Sequence, residues 1–378
     1  MSEVRGFAKT DFVTVRDTFA ANFASGADLG ASVCVTKDGE TVVDLWGGHA
    51  DAGKTRPWGR DTIVNVYSTT KTMTALTALI LADRGLIDFT APVAKYWPEF
   101  AANGKGRVTV AHLMSHSAGL SGWKEKVTRE DLYDWEKATS LLAAQAPFWE
   151  PGTAPGYHAL TQGYLVGEVI RRVTGKSIGR VFREEVAEPL GADFWIGLPA
   201  SEDSRVAELI PPPLGEAVGD GGGDEIQTNM ATNPGIDVAE TKTRAWRGAE
   251  IPAAGGTGNA RSVAEIHAIL ANGGVAKGRR FLSEAGCRKA LELQIEGTDK
   301  VMGVPARFGL GFGLVGGLVP LPNANTMFWG GYGGSLAIID MDARMTISYV
   351  MNVMHGTTTG DMRGFGLAMA AWQCLGAV

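Results

Sequence analysis

The chain has 378 residues, 45% hydrophobic and 20% charged, with 51 glycines and a formal net charge of −6. That length can bury a large core as one big domain or two lobes, and the acidic surplus offers no basic surface for nucleic acid or anionic lipid, so neither is expected as a partner. Cys34, Cys287 and Cys374 are odd in number and widely spaced without Cys-x-x-Cys, so they read as small core residues rather than a disulfide framework or zinc site.

The opening residues, Met1 to Lys9, show no basic stretch followed by an apolar run, and a cytoplasmic protein is expected. Thr10 to Phe23 carries apolar residues near helical spacing, with Gly26 soon after, which predicts a helix. Two strands follow, Gly30 to Thr36 and Thr41 to Trp46, joined at the hairpin signal Asp38-Gly39. Beyond a loop containing Pro57-Trp58-Gly59, the β-branched approach Ile63, Val64 and Val66 leads into an Ala- and Leu-rich helix. That helix opens at Ser68, continues to Arg84 and stops at Gly85. Lys71 lies one turn after Ser68, so hydroxyl and amine project from the same face.

Past Gly85 the pattern changes to short helical pieces and long loops, including Thr109 to Met114. A charged helical stretch, Arg129 to Gln145, precedes the turn Trp149-Glu150-Pro151-Gly152. Thr161 to Thr174 has helical periodicity, and Val181 to Val186 continues it. The passage from Pro211 to Gly223 reads as a lid or surface excursion. Ser262 to Asn272 reads as a helix with a Ser cap. Strand signals then return at Gly309 to Val315, Thr326 to Trp329, Ser335 to Met341 and Met345 to Asn352, with a final helix from Asp361 to Leu375. The longest apolar tract, Phe308 to Pro322, is broken by Gly and Pro, so no membrane partner is expected. The order predicts an α/β (α+β) protein: an antiparallel sheet flanked by helices, built from residues 1–90 and 250–378, with residues 91–249 inserted as a mainly helical lobe.

Ser68-x-x-Lys71 places a nucleophile beside a base. Making a lysine a base at neutral pH requires lowering its pKa by about three units from near 10.4, roughly 4 kcal/mol. Burial and the positive end of a helix dipole both push that way, and the same N-terminus offers the Ser68 N–H to an oxyanion. A second Ser-x-x-Lys, Ser121 to Lys124, sits among glycines with no apolar helix behind it and reads as a loop.

Two further stretches join Ser68 and Lys71: Pro151-Gly152-Thr153-Ala154-Pro155-Gly156-Tyr157-His158-Ala159, and Trp329-Gly330-Gly331-Tyr332-Gly333-Gly334-Ser335. Their order and spacing resemble the class C β-lactamase superfamily, most closely its esterase branch, the family VIII carboxylesterases. The resemblance covers nearly the whole chain, including His116 to Leu120 and Gly255-Gly256 to Ser262. It implies a β-lactamase/penicillin-binding-protein-like fold, with Ser68 as nucleophile, Lys71 as its activator and Tyr157 relaying a proton to the leaving alcohol. It also implies the backbone N–H groups of Ser68 and Tyr332 as the oxyanion hole, and neither cofactor nor metal. Trp329, Gly330 and Gly331 stand where the family has Lys-Thr-Gly; they and His158 are taken as substrate-binding.

Two departures separate the activities. The family's strand Lys and Thr hold a substrate carboxylate, which Trp329 and Gly330 cannot do, and Ala159 stands where Tyr-x-Asn has its amide. Both point to a small-molecule ester without that carboxylate, small to medium in its acyl group, opened through an acyl-enzyme. The alternatives are a β-lactamase or D-Ala-D-Ala peptidase-like hydrolase, and a catalytically silent binding module. Gly175-Lys176-Ser177-Ile178-Gly179 matches a nucleophile elbow but follows a helical pattern, so Ser177 is expected to cap the next helix. His112 and His116 have the i, i+4 spacing of zinc ligands but lack the intervening Glu, and are expected to be structural.

Overall fold

The computed structural model describes residues 3–213, 223–316 and 319–377. Nine of its strands form one antiparallel sheet: β1 (Val4–Ala8), β2 (Gly30–Lys37), β3 (Glu40–Gly48), β4 (Ile295–Thr298), β5 (Pro305–Phe308), β6 (Gly313–Leu314), β7 (Thr326–Gly330), β8 (Leu336–Asp340) and β9 (Met345–Met351). Their order across the sheet is β1-β3-β2-β9-β8-β7-β6-β5-β4. The two ends of the chain therefore meet in the middle, with Lys37 opposite Met345 and Ala31 opposite Met351. The β2–β3 turn has Asp38 and Gly39 both at positive φ, 52° and 81°, as a two-residue hairpin matched to strand twist requires.

Seven helices have eight residues or more among the described residues: α1 (Val13–Ala24), α2 (Thr70–Asp83), α3 (Trp135–Ala144), α4 (Thr161–Thr174), α5 (Glu225–Thr232), α6 (Ala260–Ala271) and α7 (Met362–Cys374). α1 packs on α7, and α6 and α7 cover the central strands, so β2 and β9 are buried along nearly their whole length on both faces. That explains their continuous apolar runs. In α2 every residue from Thr70 to Leu81 is buried. A helix sealed on all sides in this way cannot be held by one apolar stripe; Ala, Met, Leu and inward-bonded Thr fill its circumference. No helix among the described residues is long and apolar enough to cross a membrane.

Differences from the sequence reading have local causes. β1 pairs with β3 at the sheet edge and is mostly exposed, leaving no apolar alternation to read. β4 is the opposite edge strand and has no fully buried residue, and β5 beside it buries only Phe308. Ser68 lies in a 3-10 turn, Tyr67–Thr69, that leads into α2 rather than at a helix cap. Asn259 caps α6, while Ser262, three residues on, donates its N–H to Asn259 and accepts from the Asp193 N–H. Most of the expected lid, residues 214–222, lies outside the described residues.

A small second sheet positions the site. Thr257–Gly258 pairs on one side with Val64–Asn65, the approach to Ser68, and on the other with Phe194–Trp195 from the middle of the chain. The Gly256 N–H donates to Thr70 Oγ1 and its carbonyl accepts from Val66 N–H, fixing the start of α2 against the returning chain.

Candidate active site

Tyr67, just before the candidate nucleophile, has φ of +40°, a left-handed conformation for a bulky residue. Such a position carries about 1–3 kcal/mol of strain and persists only when its surroundings dictate it. Here the Tyr67 N–H donates to Asn65 Oδ1, Thr70 Oγ1 donates to the Tyr67 carbonyl at 2.5 Å, and the ring packs edge-on against Trp246 and Tyr332. The sharp turn presents Ser68 to a cavity while Lys71, one turn on, points back at it.

Lys71 Nζ lies 3.0 Å from Ser68 Oγ and 3.1 Å from Tyr157 Oη, and donates to the carbonyls of Ala159 at 2.6 Å and Ala253 at 3.0 Å. Its residue is 1% exposed, and burial pushes the ammonium well below its ordinary pKa. The two carbonyls can only accept, so a neutral amine spends its two hydrogens on them and turns its lone pair toward the Ser68 hydroxyl. That is the arrangement of a base.

Tyr157 comes from the loop ahead of α4, and its Oη donates to Ser68 Oγ at 2.5 Å. Its ring is enclosed by His116 and Trp329, with centroids 5.2 and 5.4 Å away. Burial raises the phenol's pKa; the hydrogen bond to Ser68 opposes that, as does the nearby Trp329 indole N–H, which nonetheless makes no hydrogen bond of normal geometry. Tyr157 is therefore a phenol at neutral pH. Its backbone N–H donates to Asp299 Oδ1 at 3.0 Å, and the same oxygen accepts from the N–H groups of Val301 and Met302. Asp299 lies in the turn between β4 and β5, and nothing in its own neighbourhood in the sequence links it to Tyr157.

The N–H groups of Ser68 and Tyr332 have no acceptor among the described residues. Both residues line a cavity of about 200 Å³ with Tyr67, Tyr157, Ala159, Leu160, Met230, Ala231, Ile236, Ala254 and Thr358. None of these eleven residues is charged.

The other residues expected to bind substrate lie behind that surface. Trp329 is buried, packed on Tyr157, His116 and Phe308. Gly330 and Gly331 allow close backbone approach: a Cβ on Gly330 would sit 2.3 Å from Gly360 N, and one on Gly331 2.2 Å from Val66 O. His158 is fully buried, its Nε2 accepting from Leu120 N–H and its Nδ1 2.5 Å from the Gly156 carbonyl. Burial lowers its pKa to about 4, so it is a neutral strut in the loop and does not reach the cavity.

The competing motifs have structural roles. Ser121 to Lys124 is a loop, and Ser177 caps the short helix Ile178–Phe182 while donating to Glu250. His112 completes a capping box with Thr109, whereas His116 accepts from His158 N–H and stacks on Trp329, so the two imidazoles serve separate ends of one short element.

Comparison with known proteins agrees with this architecture. The family model described as Beta-lactamase matches residues 15–369. A curated relative, Esterase/beta-lactamase LipL of Mycobacterium tuberculosis, is 38% identical over 96% of this chain and 86% of its own. A crystal structure described as a family VIII carboxylesterase is 47% identical with a TM-score of 0.93, covering 98% of this chain and all (100%) of that one. A penicillin-binding protein homolog from Caulobacter crescentus is 37% identical with a TM-score of 0.92, over 98% of this chain and 100% of that one.

Proposed function

Because this chain belongs to the beta-lactamase family of serine hydrolases, we propose that it is a carboxylesterase that opens small to medium acyl esters through an acyl-enzyme on Ser68. Neutral Lys71 takes the Ser68 proton as Oγ attacks the ester carbonyl, and the new oxyanion is held by the N–H groups of Ser68 and Tyr332. As the tetrahedral intermediate collapses, the C–O bond to the alcohol breaks. Tyr157 gives its proton to the departing oxygen and is reprotonated by the Lys71 ammonium 3.1 Å away. Water then repeats the sequence in reverse roles, releasing the acid and restoring Ser68.

The observation that carries this reading is the mutual approach of three groups, each pair within 3.1 Å, from segments 86 residues apart. The ester preference is supported by the cavity, whose lining among the described residues holds no cation to pair with a substrate carboxylate and is apolar at Leu160, Met230, Ile236 and Ala254. Trp329, where the family has a lysine, keeps the wall behind Tyr157 uncharged.

The test compares turnover of a short-chain nitrophenyl ester and a chromogenic cephalosporin by the wild type and by Ser68→Ala. LipL is named for both activities, so both substrates are needed. Ester turnover should exceed cephalosporin turnover and vanish in the variant. A Ser68→Ala protein that still hydrolyses the ester overturns the mechanism, and faster cephalosporin turnover overturns the substrate class.

A further inference from the structure

The two N–H groups of the proposed oxyanion hole belong to two different turns, residues 66–69 ahead of α2 and residues 331–335 between β7 and β8. Their separation must hold to a few tenths of an ångström, because a donor is useful only at about 2.7–3.1 Å from the oxyanion. We propose that Ser335 is the positioning residue that sets this separation. The inference rests on the esterase reading above and adds to it how the hole is assembled.

Ser335 is buried, and its Oγ donates to the Val66 carbonyl at 2.8 Å while lying 3.0 Å from Thr69 Oγ1. With its one proton on Val66, Ser335 accepts from Thr69, so a single hydroxyl grips the nucleophile's turn on both sides of Ser68. Among the described residues these are the only hydrogen bonds between the two turns. Ser335 also accepts the Gly331 N–H at its own carbonyl, 2.8 Å away, which closes the turn that carries Tyr332.

The far side of that turn is fixed independently. The Gly333 carbonyl accepts from Arg363 Nη2 at 2.9 Å and from His355 N–H at 3.0 Å, and the Gly333 N–H donates to Thr357. Arg363 is in turn paired with Asp361 and Asp28. The turn is thus rigid in itself, and what remains to be set is its distance from Ser68. Gly331 lets the backbones come within reach of that one bond, since any side chain there would strike Val66 O and Ser335 Oγ.

The experiment uses the full-length protein with Ser335→Ala. Val66 O keeps the Thr69 N–H at 3.2 Å as a partner, so the variant should fold. Removing an oxyanion donor outright lowers kcat by roughly 10²–10³, so loosening one should lower it by about tenfold or more. KM should stay within about threefold, because ground-state binding does not use the hole. Affinity for an alkyl boronic acid, which forms a tetrahedral adduct on the nucleophile, should fall by the same factor as kcat, an effect that a general loss of stability would not give. If the alanine variant does not fold, Ser335→Cys, near in size with a weak S–H donor, is read in the same way. Wild-type kcat in the folded variant, or a lower kcat with unchanged boronate affinity, overturns the inference. Ester turnover surviving Ser68→Ala would instead remove the function on which it rests.

Discussion

Lys71 would carry a charge in water, yet here it is sealed beneath Ser68, and its hydrogen-bonding partners among the described residues are two carbonyls and two hydroxyls. Its folded pKa is depressed by burial below the ordinary 10.5. Between those two values the unfolded chain binds a proton at this site that the folded chain does not, so stability rises with pH across that window and levels off above it. Lys71→Met should remove that slope from urea-denaturation free energies measured over the same pH series, while ester hydrolysis falls about 10²–10⁴-fold, the usual scale for a general base. In the wild type kcat/KM should rise with pH as Lys71 loses its proton, and Tyr157, whose pKa is raised, should not contribute to that limb. An unchanged stability slope in the variant would mean that Lys71 is charged in the fold. Ser68 and Lys71 were legible in the sequence because a helical turn brings i and i+3 together without help from the rest of the chain. Asp299 and Ser335 were not, since each acts on a residue 142 or more positions away through one hydrogen bond. His158 was misplaced for a related reason: adjacency to Tyr157 along the backbone says nothing about which way an imidazole turns.

At the scale of elements, α4 shows how close packing and helix preference compete. Gly163 in its first turn would, as alanine, put a Cβ 2.4 Å from Ala253 N and 2.7 Å from Pro252 C, both backbone atoms that cannot swing aside. Alanine favours a helix over glycine by about 1 kcal/mol, but overpacking costs about 1–3 kcal/mol, and sterics should win. Gly163→Ala should therefore lower stability and also kcat, because the displaced segment carries the Ala253 carbonyl that holds Lys71. Gly366 in α7 is the control: a Cβ there meets nothing within 4 Å, so Gly366→Ala should stabilise by about 0.4–1 kcal/mol with activity unchanged. Equal shifts of the two variants in a denaturant titration would show that propensity alone governs both. α4 and α7 among the helices and β2, β3, β8 and β9 among the strands were readable to within a residue or two, whereas α1 starts three residues later than expected, at Val13 after the 3-10 turn Thr10–Phe12. The strands β1, β4 and β5 were not, because the edge strands β1 and β4 hold no fully buried residue and β5, beside β4, buries only Phe308, which leaves little apolar pattern to read.

At the scale of the molecule, the first and last thirds of the sequence close one sheet, and the candidate site sits where that sheet meets the helices inserted between them. The strand-helix-strand succession made that arrangement readable, and the run β9-β8-β7-β6-β5-β4 simply pairs each strand with its neighbour in the chain, whereas β1 beside β3 and β2 beside β9 are pairings that local pattern does not encode. Arg363 near the start of α7 joins Asp28, ahead of β2, to Asp361, with Tyr349 Oη also donating to Asp28. The same guanidinium holds the Gly333 carbonyl, so the closure of the chain ends and the turn bearing Tyr332 share one buried network. Lys71 meanwhile depends on carbonyls at positions 159 and 253. A partial opening that separated any of these segments would admit water to the amine, let it protonate and so remove the base proposed for the reaction. Activity and secondary structure should accordingly be lost together: in a urea series, residual ester turnover and far-UV circular dichroism should show the same midpoint. An activity midpoint well below the structural one would mean that the site loosens before the sheet does, and that the network around Arg363 does not couple them.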